Sequence, residues 1–308
     1  MAWDLVAPCL VCPLCRGRLA RAGTALRCAA GHAFDVAREG YVNLLVTSRR
    51  LPRLVGDSKE MLLARRRFLE REHYRPLSDA ISAIAARHLD EAARCSDSHG
   101  APPVPPAPAT SGALCVVDLG CGDGYYLGRL SGHAGIHRGA RVFYVGLDVA
   151  RDAARLAARR YRDVDFAVAD VRAGLPCADA SVHLLLSVFA PRNPPEFGRI
   201  AAPEGLLLVV IPTPDHLAQV RAAVPLLRIH EDKQRHVLES FDRLFDCTGR
   251  TTIAYEVDLT ADELVDLVQM SPSARHLSAA DIEAIRRIQR LRTTVGFDLL
   301  VFRRRGVR

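Results

Sequence analysis

Four residues near the start of the chain have the types and spacing of a metal site. Cys12 and Cys15 form a CxxC pair, and twelve residues further on Cys28 and His32 form a CxxxH pair. Tetrahedral zinc takes four thiolate or imidazole ligands, and two tight turns that each offer a pair satisfy it. Cys9 and Cys12 also fit CxxC, but Gly17 stands where a tight turn after Cys15 needs it. A ferredoxin-type iron–sulfur run would need a cysteine at position 19, which is Leu19. Four protein ligands leave no open position for water, so one structural zinc ion is expected. The first residues lack the basic start and long apolar stretch of an export signal, so the crowded cysteines read as ligands rather than a disulfide framework.

A second constellation lies further along. The segment VVDLGCGDGYY (116–126) has Gly120, Gly122 and Gly124 between an apolar strand pattern and a helical one. A dinucleotide fingerprint would want glycine at 125, which is Tyr125. Asp118 closes this first strand, Asp148 the second (YVGLD) and Asp170 the third (FAVAD). A carboxylate at the second strand end can bind both ribose hydroxyls, and one at the third can meet an adenine amino group. Taken singly, each aspartate also reads as a cap or turn residue. Three carboxylates at successive strand ends, with no phosphate-binding lysine, suit a nucleoside. The arrangement resembles class I S-adenosylmethionine-dependent methyltransferases.

These residues need elements to position them. The chain has 308 residues, 49% of them hydrophobic, ample for packed cores and unlike a disordered chain. Residues 1–45 are too short for a core of their own and need the metal as a staple. Residues 46–112 form a connector: a helix over 57–70, where Asp57 and Glu60 suggest a capping box, then a second helix after Tyr74, then a Pro/Ser/Gly-rich insertion over 95–112. From 113 to 308, short apolar strands alternate with helices, which implies a parallel sheet covered on both faces. An antiparallel pair, TTIAYEVDL and GFDLLVFRRR, is expected near the end. No apolar run approaches the length of a membrane span, so a cytoplasmic protein is expected. The net charge is +7, carried by forty arginines and two lysines, and arginine's planar fork suits phosphate.

Beyond the superfamily, CPLC…CAAGHAFDVAREGYVNLL, GDSKEMLLARRRFLEREHYRPL, DLGCGDGYY, FAPRNPPEF and PTPDHL occur in order. Together they resemble the bacterial 23S rRNA (guanine-N1)-methyltransferases, from about residue 10 to beyond 270. The family's GCGEG is here GCGDG. The resemblance implies a Rossmann-like α/β fold with a mostly parallel seven-stranded sheet and a small N-terminal zinc domain. It implies methyl transfer from S-adenosylmethionine to N1 of one of two neighbouring guanines in hairpin 35 of 23S rRNA. Some members give tylosin-type macrolide resistance, and FAPRNPPEF suggests that branch. The resemblance places zinc on Cys12, Cys15, Cys28 and His32, and cofactor contacts on Tyr74, Gly122, Asp123 and His216. Read without it, Tyr74 is a packing aromatic and His216 a surface histidine. A homodimer is compatible with the resemblance, although no heptad or apolar patch shows one.

Guanine N1 sits on the Watson–Crick edge and carries a proton, so the base must be unpaired and the proton must leave. Phe189, Arg192 and Asn193 follow the fourth strand, where the acceptor loop of such enzymes lies. Phe189 could stack on the base, and Arg192 could polarise O6 or hold a phosphate. The base itself is not identifiable from the sequence. Arg16, Arg18, Arg21 and Arg27, with Arg65, Arg66 and Arg67, are expected to line an RNA groove. A methyltransferase for a small molecule and a non-catalytic zinc-containing RNA-binding protein are the competing readings. Transfer to rRNA fragments against metabolites tests the first, and cofactor calorimetry tests the second.

Overall fold

The computed structural model describes Trp3 and residues 5–46, 56–98, 113–133, 141–224 and 232–306. The N-terminal segment forms a small antiparallel sheet of β1 (Ala20–Ala22), β2 (Ala25–Arg27) and β3 (Ala33–Asp35). The chain then turns at Gly40 and enters β4 (Tyr41–Asn43), which keeps one antiparallel bridge to the ribbon, Val42 with Val36, and joins the large sheet. Helices α1 (Lys59–Glu70) and α2 (Arg75–Ser98) follow. Ser58, not Asp57, caps α1: its side chain accepts the Met61 amide, while Asp57 pairs with Arg65. Helix α2 continues into the expected insertion as far as Ser98, and residues 99–112 lie outside the described residues.

The large sheet comprises β5 (Ala113–Leu119), β6 (Arg141–Asp148), β7 (Asp165–Val168), β8 (Val182–Val188), β9 (Ala201–Pro212), β10 (Phe245–Thr260) and β11 (Arg290–Arg304). Helices α3 (Tyr125–Ser131), α4 (Arg151–Arg160), α5 (Pro194–Ile200), α6 (Ala218–Ala223), α7 (Lys233–Phe241), α8 (Ala261–Gln269) and α9 (Ala279–Arg286) connect them. The order is β10-β11-β9-β8-β5-β6-β7-β4. All pairs from β4 to β9 are parallel, and β11 and β10 add antiparallel. The expected count of seven is therefore corrected to eight. The extra strand is β4, whose Tyr41 and Val42 are buried against β7. A three-residue strand from the zinc segment has too little periodicity to be read from sequence as part of a distant sheet.

Strand residues alternate between two cores. On β5, Leu114 and Val116 face the layer of α1, α2 and α3, whereas Cys115, Val117 and Leu119 face the opposite layer. The second layer also holds Trp3, Leu10, Leu26 and Val42, so the N-terminal segment shares a core with the catalytic sheet. Trp3 donates its indole N–H to the Gly40 carbonyl and its amide to Asp165. Val11 and Ala178 complete short backbone links at 3.0 and 2.8 Å. The ribbon is thus fixed against the sheet. Strand order reverses at β5, which opens a crevice at the carboxyl ends of the parallel strands, the usual ligand position in such sheets. Among the described residues no helix is long and apolar enough to cross a membrane.

Candidate active site and metal centre

That crevice is a cavity of about 1240 Å³. Its floor is the turn between β5 and α3. Gly120 has φ +81°, and a Cβ there would lie 2.6 Å from that of Ala190. Gly122 has φ +55°, and a Cβ there would lie 2.9 Å from Arg65 Nη1. Glycine is needed at Gly120 for conformation and for space, and at Gly122 for conformation. Gly124 lies outside the cavity lining and packs α3 against Phe166.

Asp148 accepts the Gly122 and Ala150 amides at 2.9 and 2.8 Å, so it holds the turn as well as facing the cavity. Burial pushes its pKa up, against the pull of those amides. Asp118 is fully buried, and its Oδ1 has no partner. Burial, then the Asp148 charge, push its pKa up to about 8. Asp123 is also buried, and its Oδ2 accepts no hydrogen bond but lies 3.9 Å from Arg66 Nε; burial raises its pKa although Arg65 and Arg66 oppose this. Asp170 lines the cavity while accepting from the Arg172 amide and guanidinium. An orphaned buried carboxylate beside a cradle of bare backbone fits a cationic nucleoside. S-adenosylmethionine, with its ribose, ammonium and sulfonium, is such a group.

Tyr74 and His216 also reach this cavity, and His216 is buried rather than on the surface. Tyr74 is buried between α1 and α2, edge-on to Phe68 and Phe297 at 5.2 and 4.8 Å. His216 follows β9, and burial drives its pKa down to about 3. The two sites expected only from resemblance therefore converge with the glycine turn.

The acceptor candidates divide. Phe189 takes a left-handed φ of 55° and keeps 44% of its surface exposed, at the cavity wall beside Phe297. A left-handed phenylalanine is costly backbone geometry, and such strain clusters at functional sites. Arg192 lines the same wall, and burial lowers its pKa. Asn193 does not line the cavity and gives its side-chain amide to the Ala173 carbonyl.

The arginine expectation needs correction. Arg65 pairs with Asp57 at 2.7 Å and bonds the Met270 carbonyl. Arg66 bonds the Leu156 carbonyl, and Arg67 holds Asp266 at 2.6 and 2.9 Å. Arg16 bonds the Leu175 and Cys177 carbonyls and Asp179, tying the ribbon to the sheet domain. Buried acceptors of this kind outcompete solvent for a nearby guanidinium. All four arginines clamp one part of the fold to another, although Arg16 and Arg67 stay exposed. Arg18, Arg21 and Arg27 stay exposed on the ribbon.

The metal ligands converge as expected. The ligand atoms of Cys12, Cys15, Cys28 and His32 all lie within 4.8 Å of one another. His32 Nδ1 is 3.5 and 3.4 Å from the Cys12 and Cys28 sulfurs, and the Cys15 and Cys28 sulfurs are 3.5 Å apart. Zn–S and Zn–N bonds of about 2.3 and 2.0 Å at tetrahedral angles require spacings near these. Cys9 is excluded: it is fully buried beside Cys115 and Cys177 in the sheet core. Sequence reasoning missed Lys233, which lines the acceptor wall. Its only signal was being one of two lysines in an arginine-rich chain.

Residues 10–50 match the family described as RlmA, N-terminal, a zinc ribbon, and residues 116–202 match one described as Methyltransferase domain. With the sheet order and glycine turn, these define an S-adenosylmethionine-dependent methyltransferase carrying a structural zinc ribbon. A protein of Micromonospora griseorubida, named as a 23S rRNA (guanine-N(1)-)-methyltransferase, is 41% identical over 281 residues, 90% of each chain. The 23S rRNA (guanine(748)-N(1))-methyltransferase of Streptomyces fradiae is 38% identical over 267 residues, 87% of this chain and 86% of that one. The chain belongs to this family of 23S rRNA (guanine-N1)-methyltransferases.

Proposed function

We propose that the protein methylates N1 of a guanine in hairpin 35 of 23S rRNA, at the position corresponding to guanine 748 in the name of the Streptomyces fradiae relative. The observation that carries this reading is the fusion of ribbon and cleft into one body. Strand β4 of the zinc segment is an edge strand of the catalytic sheet. RNA gripped by the ribbon is thereby held at a fixed distance from the cavity.

The cofactor supplies an electrophilic methyl group on a sulfonium. Asp148 and Asp170 would hold its ribose and adenine, Asp118 would face its positive charge, and Tyr74 and His216 would close the methionine end. The target guanine leaves its stack and enters beside Phe189, whose exposed ring offers a stacking face. Much of the acceleration comes from aligning N1 with the methyl carbon in a site that excludes water. Arg18, Arg21 and Arg27 give the ribbon cations for RNA phosphates. The reaction belongs in the cytoplasm, where ribosomal RNA is made in bacteria.

Primer extension on 23S rRNA tests the proposal, because an N1 methyl blocks reverse transcription. Expression in a host lacking the mark should give a new stop in hairpin 35 and raised tolerance to tylosin-type macrolides. Light scattering on the purified protein distinguishes a monomer from the homodimer that the resemblance allows. A stop elsewhere, or none, overturns the target assignment.

A further inference from the structure

Lys233 opens α7 and lines the cavity on the wall that carries Phe189 and Arg192. It is half-buried, and neither it nor Arg192 forms an ion pair with a carboxylate among the described residues. Forty of the chain's basic residues are arginine, yet this position is lysine. The difference matters chemically. A guanidinium stays protonated throughout the useful pH range, whereas an amine can lose its proton and accept another.

Removing the N1 proton of guanine needs an acceptor, and the other groups on the cavity are engaged, lie at the cofactor end, are cations or face solvent. Asp148 accepts two backbone amides, and Asp170 accepts from Arg172. Asp118 and Asp123 lie under the glycine turn, at the cofactor end. His216 already accepts the Gly296 amide at Nδ1, so its Nε2 carries the proton. Arg192, Arg221 and Arg172 are cations that cannot serve as bases. His236, one turn along α7, is exposed to solvent. Lys233 is left facing Arg192, with His216, Arg221, His236 and the Asp170–Arg172 pair also on the cavity wall; the Asp57–Arg65 pair, Arg275, Tyr74, Cys121 and Tyr126 complete its charged or titratable lining. Burial, then the Arg192 charge, lower the pKa of its ammonium.

We propose that Lys233 is the general base that takes the N1 proton of the target guanine, while Arg192 holds the O6 oxygen on which negative charge collects. This rests on the reading of the site as a guanine-N1 methyltransferase. The N1–H bond breaks and its proton passes to Nζ of Lys233. The N1 electron pair forms the new C–N bond as the S–C bond breaks, and the sulfur leaves as a neutral thioether. The positive charge of the sulfonium ends on the lysine ammonium, which returns its proton to water.

The test compares wild type, K233M, K233R and H236Q on a hairpin 35 transcript, with turnover followed against pH. General-base catalysis contributes about 10²–10⁴-fold, so K233M should lose kcat by that factor. Its affinities for the cofactor and the transcript should stay within about threefold. K233R, which keeps the charge but cannot act as a base, should be no better than K233M. Wild-type turnover should rise with pH and level off, whereas K233M should keep rising into the range where guanine N1 itself ionises. With two lysines in the chain, NMR of ¹³C-lysine-labelled protein should show Lys233 titrating below the ordinary lysine range. Near-wild-type turnover by K233R would reduce Lys233 to a charge and overturn the proposal. So would loss of transcript affinity with kcat intact in K233M, or the same loss of kcat in H236Q. If wild type itself leaves guanine N1 unmethylated, the parent reading fails instead.

Discussion

The Tyr74 hydroxyl lies 3.5 Å from Nε2 of His216, across 142 residues of sequence. The Gly296 amide donates to the other ring nitrogen at 3.2 Å, which leaves the proton on Nε2 and directs it at the tyrosine. Strand β11, the loop after β9 and the α1–α2 junction are thus joined at one point on the cavity wall.

H216A should leave the Gly296 amide buried without an acceptor, at a cost of about 1–3 kcal/mol. Cofactor affinity should fall as well, by calorimetry. Y74F should lower cofactor affinity with a smaller effect on stability. Undiminished affinity in both variants would remove this pair from the binding site.

Acid should destabilise the fold in a defined window. Burial holds His216 at about 3 and His183 at about 4, below the ordinary histidine value of 6.5. Below 6.5 the unfolded chain binds protons that the folded chain refuses, so stability falls as pH falls from 6.5 towards 3. His216 alone accounts for about 2 kcal/mol at pH 5. Urea unfolding at pH 7.5 and pH 5 measures the difference, which H216N should reduce.

Asp118 titrates in the opposite sense. Its folded pKa of about 8 exceeds the ordinary 3.8, so in the ligand-free protein its contribution to stability declines as pH rises from 3.8 to 8. A cationic ligand favours the ionised carboxylate, so cofactor binding at pH 7 should release a proton. Calorimetry in buffers of different ionisation enthalpy reads that proton, and D118N should abolish it.

The ligand set predicts one zinc per chain. C12A, C28A or H32A should lose the metal and melt the ribbon, since structural zinc supplies folding energy to such small segments. C9A should keep full stoichiometry and lose only core packing. Metal analysis with thermal melting separates the two.

Arginines that hold a buried carboxylate and arginines that do not should differ in kind. R67A strips Asp266, a buried carboxylate, of its guanidinium partner and should cost stability by roughly 1–3 kcal/mol. R21S/R27S should leave the melting temperature within about 1–2 °C. It should weaken RNA binding and flatten its dependence on salt. RNA titration at several salt concentrations, beside melting curves, checks both.

Several of these features are legible in the residues alone. The CxxC and CxxxH spacing marks the zinc ligands because the ion demands two short turns. Short continuous apolar runs mark the parallel strands because both faces are buried. Glycines between strand and helix, with aspartates at strand ends, mark the nucleoside cleft because their roles are local. Tertiary structure alone decided which neighbours compete for each polar group. Arg16 and Arg65–Arg67 are identical in type to Arg18, Arg21 and Arg27, yet carbonyls and carboxylates 90 or more residues away capture them. Tyr41 and Val42 become an eighth strand because the edge of β7 needs a partner, and Lys233 becomes a cavity residue because α7 starts beside Arg192. Spacing along the chain fixes short-range geometry; long-range pairing depends on which surfaces meet when the sheet assembles.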